Sequence, residues 1–261
     1  MKKFLILFVA LFFISQSGFC VATEIKDEGI RYFKDEAAIV KKYESSPTAQ
    51  NAKKLAEVRK KYAKIYFDKY KETNAVIILD LAKDYANSAR FYNPDDYETN
   101  TLLGMIYSKM PNSPTSNAKA IGAFELAAKQ NPRNCNLKIL LANEYLKANE
   151  QEKALSNYEK AILANNSLAA PDVIFIMTML YSGTDMIPIG ISVFNELYEK
   201  NPKKAYIGIS KALLQKERCD FEGAADTLNK VLKNSATSKN SAKIAQKTLQ
   251  QIKKEEVKYE K

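Results

Sequence analysis

A helix pattern that recurs about every 34 residues constrains the fold of this 261-residue chain more than any other feature. Each copy has small and large apolar residues spaced four and three apart, which places them on one helix face. Pro or Asn follows most copies and predicts the end of the helix. The copies are Ala82, Ala86, Ala89, Pro94; Ala120, Phe124, Ala127, Pro132; Ala154, Tyr158, Ala161, Asn166; Gly190, Phe194, Leu197, Pro202; and Ala224, Leu228, Val231.

A second helix is predicted on the N-terminal side of each copy. It carries a leucine, then a small residue, then an aromatic residue one turn later, so that two backbones approach closely beside a space-filling ring. The residues are Leu103, Gly104, Tyr107; Leu141, Ala142, Tyr145; and then Tyr181 and Ala212 at later equivalents. The unit is therefore an antiparallel helix pair, and three or more such pairs must stack to bury their apolar faces.

This unit resembles the tetratricopeptide repeat family from about residue 50 to about residue 234, most cleanly over residues 135–168. The chain departs from the family in having no Trp, in extra residues around 111–114, and in a stretched copy near Pro171, where Gly183 and Pro188 bracket the loop. The resemblance implies an all-α fold: an α-solenoid of about five antiparallel helix pairs, wound as a right-handed superhelix, with a C-terminal capping helix.

Four segments follow from this reading: a signal peptide at 1–22, an N-terminal helical segment at 23–48, the repeats at 49–234, and a capping helix with a charged tail at 235–261. A long helix is predicted from about Ala49 to Lys71. Its apolar stripe either packs on the next pair or binds a partner, and comprises Leu55, Val58, Tyr62, Ile65 and Tyr66. On the capping helix we expect one apolar face, formed by Ile244, Leu249 and Ile252.

The first residues have the order of a secretory signal peptide: Lys2 and Lys3, then an apolar run from Phe4 to Ile14, then small and polar residues. Eleven residues rise only about 16 Å as a helix, too short to cross a hydrocarbon core of about 30 Å. We expect cleavage after Ala22, export to the periplasm or medium of a bacterium, and no transmembrane segment in the mature chain. In a second interpretation the chain is a lipoprotein acylated at Cys20, although Phe19 does not match the residue expected before the lipidated cysteine.

Loss of residues 1–22 removes two lysines and no acids, which lowers the net charge from +10 to +8. Such a balance can attract polyanions, but Lys and Glu are interspersed as on solvated helices, and export removes most contact with nucleic acid.

Cys135 and Cys219 remain after cleavage. Counted along the repeat, Cys135 begins a helix and Cys219 lies in an inter-helix turn, so we expect two unpaired thiols.

The chemistry available to the chain is limited. The sequence has no His, which excludes imidazole bases and the commonest metal ligand, and it has no Gly-rich phosphate loop or calcium-loop spacing. Asp95, Asp96 and Asp172 stand at predicted helix starts, where carboxylates favour the positive end of the helix dipole. We expect no catalytic residue, no cofactor and no metal site.

The family resemblance also implies where a ligand binds. In such domains the concave groove is lined by set positions of each first helix, and these side chains either face a peptide or pack between repeats. They fall on Thr101, Met105, Ser108, Lys109, Ile139, Asn143, Leu146, Lys147, Phe175, Met179, Tyr206, Ile209 and Leu213. Apolar groups with two lysines and an Asn suit an extended or helical peptide that carries acidic or C-terminal oxygens.

Three functions are compatible with the sequence. The first is an exported, non-catalytic scaffold that binds a protein or peptide in the groove. The second is an envelope assembly factor tethered to the membrane through acylated Cys20. The third is a basic binder of cell-wall or other polyanions, whose binding collapses with salt.

Overall fold

A computed structural model describes residues 36–111 and 113–259 of the chain, and all regular structure within those residues is helical. The predicted signal peptide and Cys20 lie outside the described residues. The chain forms two compact units, the first ending at Met110 and the second beginning at Pro111.

The described residues of the first unit form four helices: α1 (residues 36–45), α2 (Ala49–Thr73), α3 (Val76–Tyr92) and α4 (Tyr97–Lys109). The long helix predicted from about Ala49 is confirmed as α2. It packs along α3, where the rings of Tyr62 and Tyr66 lie 5.4 and 5.5 Å from the ring of Tyr85. The predicted apolar stripe of α2 therefore packs on the next helix.

In the described residues of the second unit there are seven repeat helices and a final helix: α5 (Pro114–Gln130), α6 (Cys135–Lys147), α7 (Gln151–Ala164), α8 (Pro171–Tyr181), α9 (Ile187–Lys200), α10 (Ala205–Glu217), α11 (Phe221–Lys233) and α12 (Lys239–Tyr259). A short 3-10 turn, Asn166–Leu168, separates α7 from α8. Helices adjacent in the chain pack on each other, and α8 also packs beside α10, two helices further on. The order of first and second helices is the one that the repeat predicts.

The repeat positions form the core of both units. Every small and large apolar residue of the five quoted copies is buried, from Ala82 in α3 to Val231 in α11. The partner positions Leu103, Tyr107, Leu141 and Tyr145 are buried as well. Because small residues alternate with large ones along each seam, neighbouring helices approach closely and the rings fill the gaps between them.

Tyrosine hydroxyls tie successive helix pairs together in the second unit. The hydroxyl of Tyr145 on α6 donates to Glu125 Oε1 on α5 at 2.5 Å, and that of Tyr181 on α8 donates to Glu159 Oε1 on α7, also at 2.5 Å. Burial and the adjacent carboxylate raise the pKa of both tyrosines. The aromatic residue of the repeat thus supplies packing through its ring and a charge-assisted hydrogen bond through its hydroxyl.

Side-chain caps explain where several first helices begin. Asp96 caps α4 by accepting from the Thr99 amide, and Asn134 caps α6 by accepting from the amides of Asn136 and Leu137. Asp172 lies in the first turn of α8, while Asp95 is exposed one residue before the cap of α4. Three predicted helix-start acids therefore lie at helix starts, and Asp96 makes the capping bond.

The capping helix α12 differs from the prediction in one residue. Its buried face contains Ala245, Thr248 and Ile252, with Leu249 partly buried, and it packs on α11. The expectation that Ile244 belongs to this face is wrong, since 47% of that residue is exposed. One residue corresponds to about 100° of helix rotation, so Ala245 faces the core and Ile244 faces outward.

Both predicted cysteine positions are confirmed. Cys135 is the first residue of α6, and Cys219 lies in the turn between α10 and α11 with a left-handed φ of 61°. Both are free thiols in the structure. Asn149, in the turn between α6 and α7, has a similar φ of 59°.

Candidate functional site

The thirteen predicted groove positions are divided between the two units. Thr101, Met105, Ser108 and Lys109 lie on α4 in the first unit, where only Lys109 is exposed. The other nine lie in the second unit on α6, α8 and α10, the first helices of successive pairs. The side chains of Ile139 and Leu146 on α6 are half-buried.

Two exposed apolar side chains lie one turn apart on α8. Phe175 is 65% exposed and Met179, one turn later, is 61% exposed. The opposite face of α8 buries Val173, Ile174, Met177 and Tyr181, so the helix is anchored while its outer face stays apolar. An i, i+4 pair of a ring and a thioether on an anchored helix forms a preformed apolar contact surface.

Leu213 extends this surface onto the neighbouring helix. It is 39% exposed on α10, which packs beside α8, and it occupies the repeat position equivalent to Met179. We call Phe175, Met179 and Leu213 the apolar patch. Its three members come from two helices that pack side by side, which lowers the conformational cost of binding.

Several polar side chains lie close together on α6. The Nζ of Lys147 is 2.6 Å from Glu144 Oε1, and the Nδ2 of Asn117 on α5 donates to Glu144 Oε2 at 3.1 Å. Glu144 is buried, and these donors compensate its charge, while the Lys147 residue is exposed. Asn143 is exposed, but its Oδ1 accepts a hydrogen bond from the hydroxyl of Tyr158.

Two predicted positions have structural partners. The hydroxyl of Tyr206 donates to the Ala169 carbonyl at 2.6 Å, beside Lys204 Nζ at 3.2 Å from the same oxygen, so this ring holds the turn before α8. Ile209 is only 8% exposed and belongs to the core cluster that contains Ala245 and Ile252 of α12. Its side chain packs between helices, which is the second of the two arrangements that the family resemblance allows for these positions.

Lys211 is a polar residue of α10 that the sequence does not single out. It is half-buried, and its Nζ donates to Asn195 Oδ1 on α9 at 2.5 Å. Burial, together with the positive charge of Lys230, lowers the pKa of Lys211. A lysine lying between two apolar positions on a helix could have suggested such partial burial, but its amide partner is distant in sequence.

The described residues contain no group of three or more acidic or cysteine side chains arranged to hold a metal ion. Within the same part of the chain, no helix combines the length and the apolar character needed to cross a membrane. On α6, α8 and α10 the structure shows exposed apolar side chains beside hydrogen-bonding groups.

Comparison with solved structures identifies the fold. The structure of YrrB, described as a TPR protein with an unusual peptide-binding site, matches 80% of this chain and 98% of its own, with a TM-score of 0.50 and 18% identity. The chain has a tetratricopeptide-repeat fold. A match of this identity shows the fold alone, and the sequence matches no family model and no curated protein.

Two further solved structures match with lower scores. MamA aligns over 66% of this chain and 90% of its own, with 16% identity and a TM-score of 0.49. PilF of Pseudomonas aeruginosa aligns over 75% of this chain and 89% of its own, with 13% identity and a TM-score of 0.45. The described helices and the match to YrrB confirm the all-α, solenoid class expected from the sequence.

Proposed function

We propose that this tetratricopeptide-repeat chain is an exported, non-catalytic scaffold that binds a protein or peptide along α6, α8 and α10. The observation that carries the proposal is the apolar patch of Phe175, Met179 and Leu213. These residues occupy positions that tetratricopeptide domains use for ligands, and they remain open to solvent on anchored helices. YrrB, which shares the fold, is itself described as having a peptide-binding site.

The ligand is an extended or helical peptide with apolar side chains. Burying most of the exposed surface of Phe175 or Met179 contributes about 1–2 kcal/mol each, which suits an affinity in the micromolar range once the cost of association is included. The exposed Lys147 side chain, which pairs with Glu144, places a positive charge where an acidic side chain or a terminal carboxylate of the ligand can approach it. Asn143 and Tyr206 contribute mainly through the contacts that hold α7 and α8 in place.

The test is a peptide selection followed by calorimetric titration. Peptides are selected from a displayed random library on the purified chain without residues 1–22, and the affinity of the best one is measured. Phe175→Ala/Met179→Ala is expected to weaken that affinity by about tenfold or more. The matched control is Ile77→Ala/Ile189→Ala, which removes two exposed apolar side chains from second helices. Equal affinities for both variants would remove the patch as the binding site.

Export is tested separately, at the N-terminus of the protein recovered from bacterial envelope fractions. Our proposal predicts a mature chain that begins at Thr23. A chain that begins at Cys20 and incorporates labelled palmitate would instead establish the tethered lipoprotein. An uncut N-terminus in the cytoplasmic fraction would contradict export in either form.

A further inference from the structure

The outward face of α12 carries a line of lysines. Lys243, Lys247, Lys254 and Lys258 are all exposed, and their spacing places them within an arc of about 60° along roughly 22 Å of helix. None of the four forms an ion pair with another residue in the part of the chain that the structure describes. We call these four residues the lysine stripe.

The charges of α12 are segregated rather than mixed. Its acids, Glu255 and Glu256, are only half-exposed and lie outside the stripe, and Glu255 pairs with Lys216 of α10 at 3.1 Å. The long helix α2 of the first unit is different: Glu57 and Asp68 interrupt its exposed lysines, and Asp68 pairs with Lys71 at 2.8 Å. A helix that only needs to be solvated has the mixed pattern of α2, so the stripe calls for another explanation.

Two exposed apolar residues border the stripe. Ile244, 47% exposed, and Val257, 54% exposed, lie about 40° beyond its two edges. The opposite face of α12 is packed on α11 through Ala245 and Ile252, so the stripe faces outward. Lysines in a line with aliphatic side chains on both sides match a flat surface that has anionic groups above an apolar layer.

We infer that the lysine stripe of α12 binds the surface of an anionic phospholipid membrane. The ammonium groups contact lipid phosphates, and Ile244 and Val257 reach the boundary between headgroups and acyl chains. A soluble polyanion would use the four lysines but not the two aliphatic flanks. The lysine stripe shares no residue with the apolar patch, so a chain bound to a membrane through the stripe would present the peptide-binding helices there. No helix in the described residues is long and apolar enough to cross that membrane.

The experiment measures binding of the chain without residues 1–22 to vesicles of phosphatidylglycerol and phosphatidylcholine, and to phosphatidylcholine alone. Wild type is expected to sediment with the anionic vesicles only, less strongly as salt rises. Lys243→Gln/Lys247→Gln/Lys254→Gln/Lys258→Gln is expected to lose about tenfold or more in affinity. Lys53→Gln/Lys54→Gln/Lys61→Gln/Lys64→Gln on α2 removes the same net charge and serves as the matched control; it is expected to lose much less.

A third variant, Ile244→Ser/Val257→Ser, separates a membrane from a soluble polymer. It is expected to weaken vesicle binding several-fold while leaving binding to polyphosphate unchanged. No binding of wild type to anionic vesicles, or equal losses in the two lysine variants, would overturn the inference. Vesicle binding that is indifferent to the serine substitutions would overturn the lipid assignment and favour a soluble polyanion. Circular dichroism of each variant confirms that the helices are intact.

Discussion

The backbone of Gly190 lies directly against the ring of Tyr181, where α9 meets the end of α8. A Cβ added to Gly190 would be 2.6 Å from two carbons of that ring and 2.8 Å from Leu214 Cδ1 on α10. Three helices therefore converge on the small-residue position of this repeat. The tyrosine is fully buried there, with its ring 5.8 Å from that of Phe194.

Gly190→Ala is expected to destabilise the protein, because neither a fully buried ring nor a packed leucine can move aside. The expected loss is about 2–3 kcal/mol in the free energy of unfolding, measured by urea denaturation. Gly122→Ala on α5 is the matched control, because its added methyl group meets no atom within 4 Å. That control should gain about 0.5–1 kcal/mol from helix propensity. If Gly190→Ala lowers the free energy of unfolding by less than an ordinary surface substitution does, the close approach at Gly190 is contradicted.

Tyr181→Phe tests the hydrogen bond to Glu159. The change keeps the buried ring but removes the donor to a carboxylate, which should lower the free energy of unfolding by about 1–2 kcal/mol. Tyr97→Phe at the exposed start of α4 is the comparison, since the Tyr97 side chain has no such buried role, and it should change stability by less than about 0.5 kcal/mol. Equal effects would mean that the inter-helix hydrogen bond does not contribute.

The raised pKa of Tyr158 leads us to expect a loss of folding stability at alkaline pH. Burial, and then the charge of Asp172, raise its pKa from 10.0 to about 12. Between those values the unfolded tyrosine releases its proton while the folded one keeps it, so its stabilisation is complete below pH 10 and declines as the pH rises towards 12. Urea unfolding across this range should show a steeper decline for wild type than for Tyr158→Phe. The integrated difference should be about 1–2 kcal/mol, and parallel curves would contradict the assignment.

Cys219→Gly is expected to stabilise the second unit. The left-handed φ of 61° is strained for a side chain with a Cβ and is free of strain for glycine. Urea unfolding should show a gain of up to about 1 kcal/mol. Cys135→Ser at the start of α6 removes the other thiol without any left-handed backbone, and it should not stabilise. Peptide mapping of the alkylated, non-reduced protein should show both thiols free; a bond between them would refute this part of the account.

The sequence predicts the core better than the surface, for a physical reason. The buried repeat residues, from Ala82 to Val231, can be predicted because each set depends only on residue spacing within its own helix. The same spacing recurs in every repeat. The exposure of a first-helix side chain depends on which neighbour covers it. Ile209 is covered because α12 packs at the end of the second unit, whereas Phe175, one repeat earlier, is not.

Individual contacts are less predictable still. In the sequence pattern, Tyr206 cannot be distinguished from a tyrosine that faces a ligand. In the structure, its hydroxyl donates a hydrogen bond to the carbonyl of Ala169, 37 residues away. Ile244 and Ala245 are adjacent, and the choice of which one faces the core depends on the rotation of α12 against α11. Such outcomes are determined by tertiary packing, and no local signal in the sequence carries them.

A photo-crosslinking amino acid at position 175, compared with the same amino acid at position 189, tests the central claim most directly. Both positions are solvent-exposed, at 65% and 52%, on a first and a second helix of the same pair. With the selected peptide present, our account predicts an adduct at position 175 and little or none at position 189. Equal adducts at both positions, or an adduct at position 189 alone, would contradict peptide binding on α8.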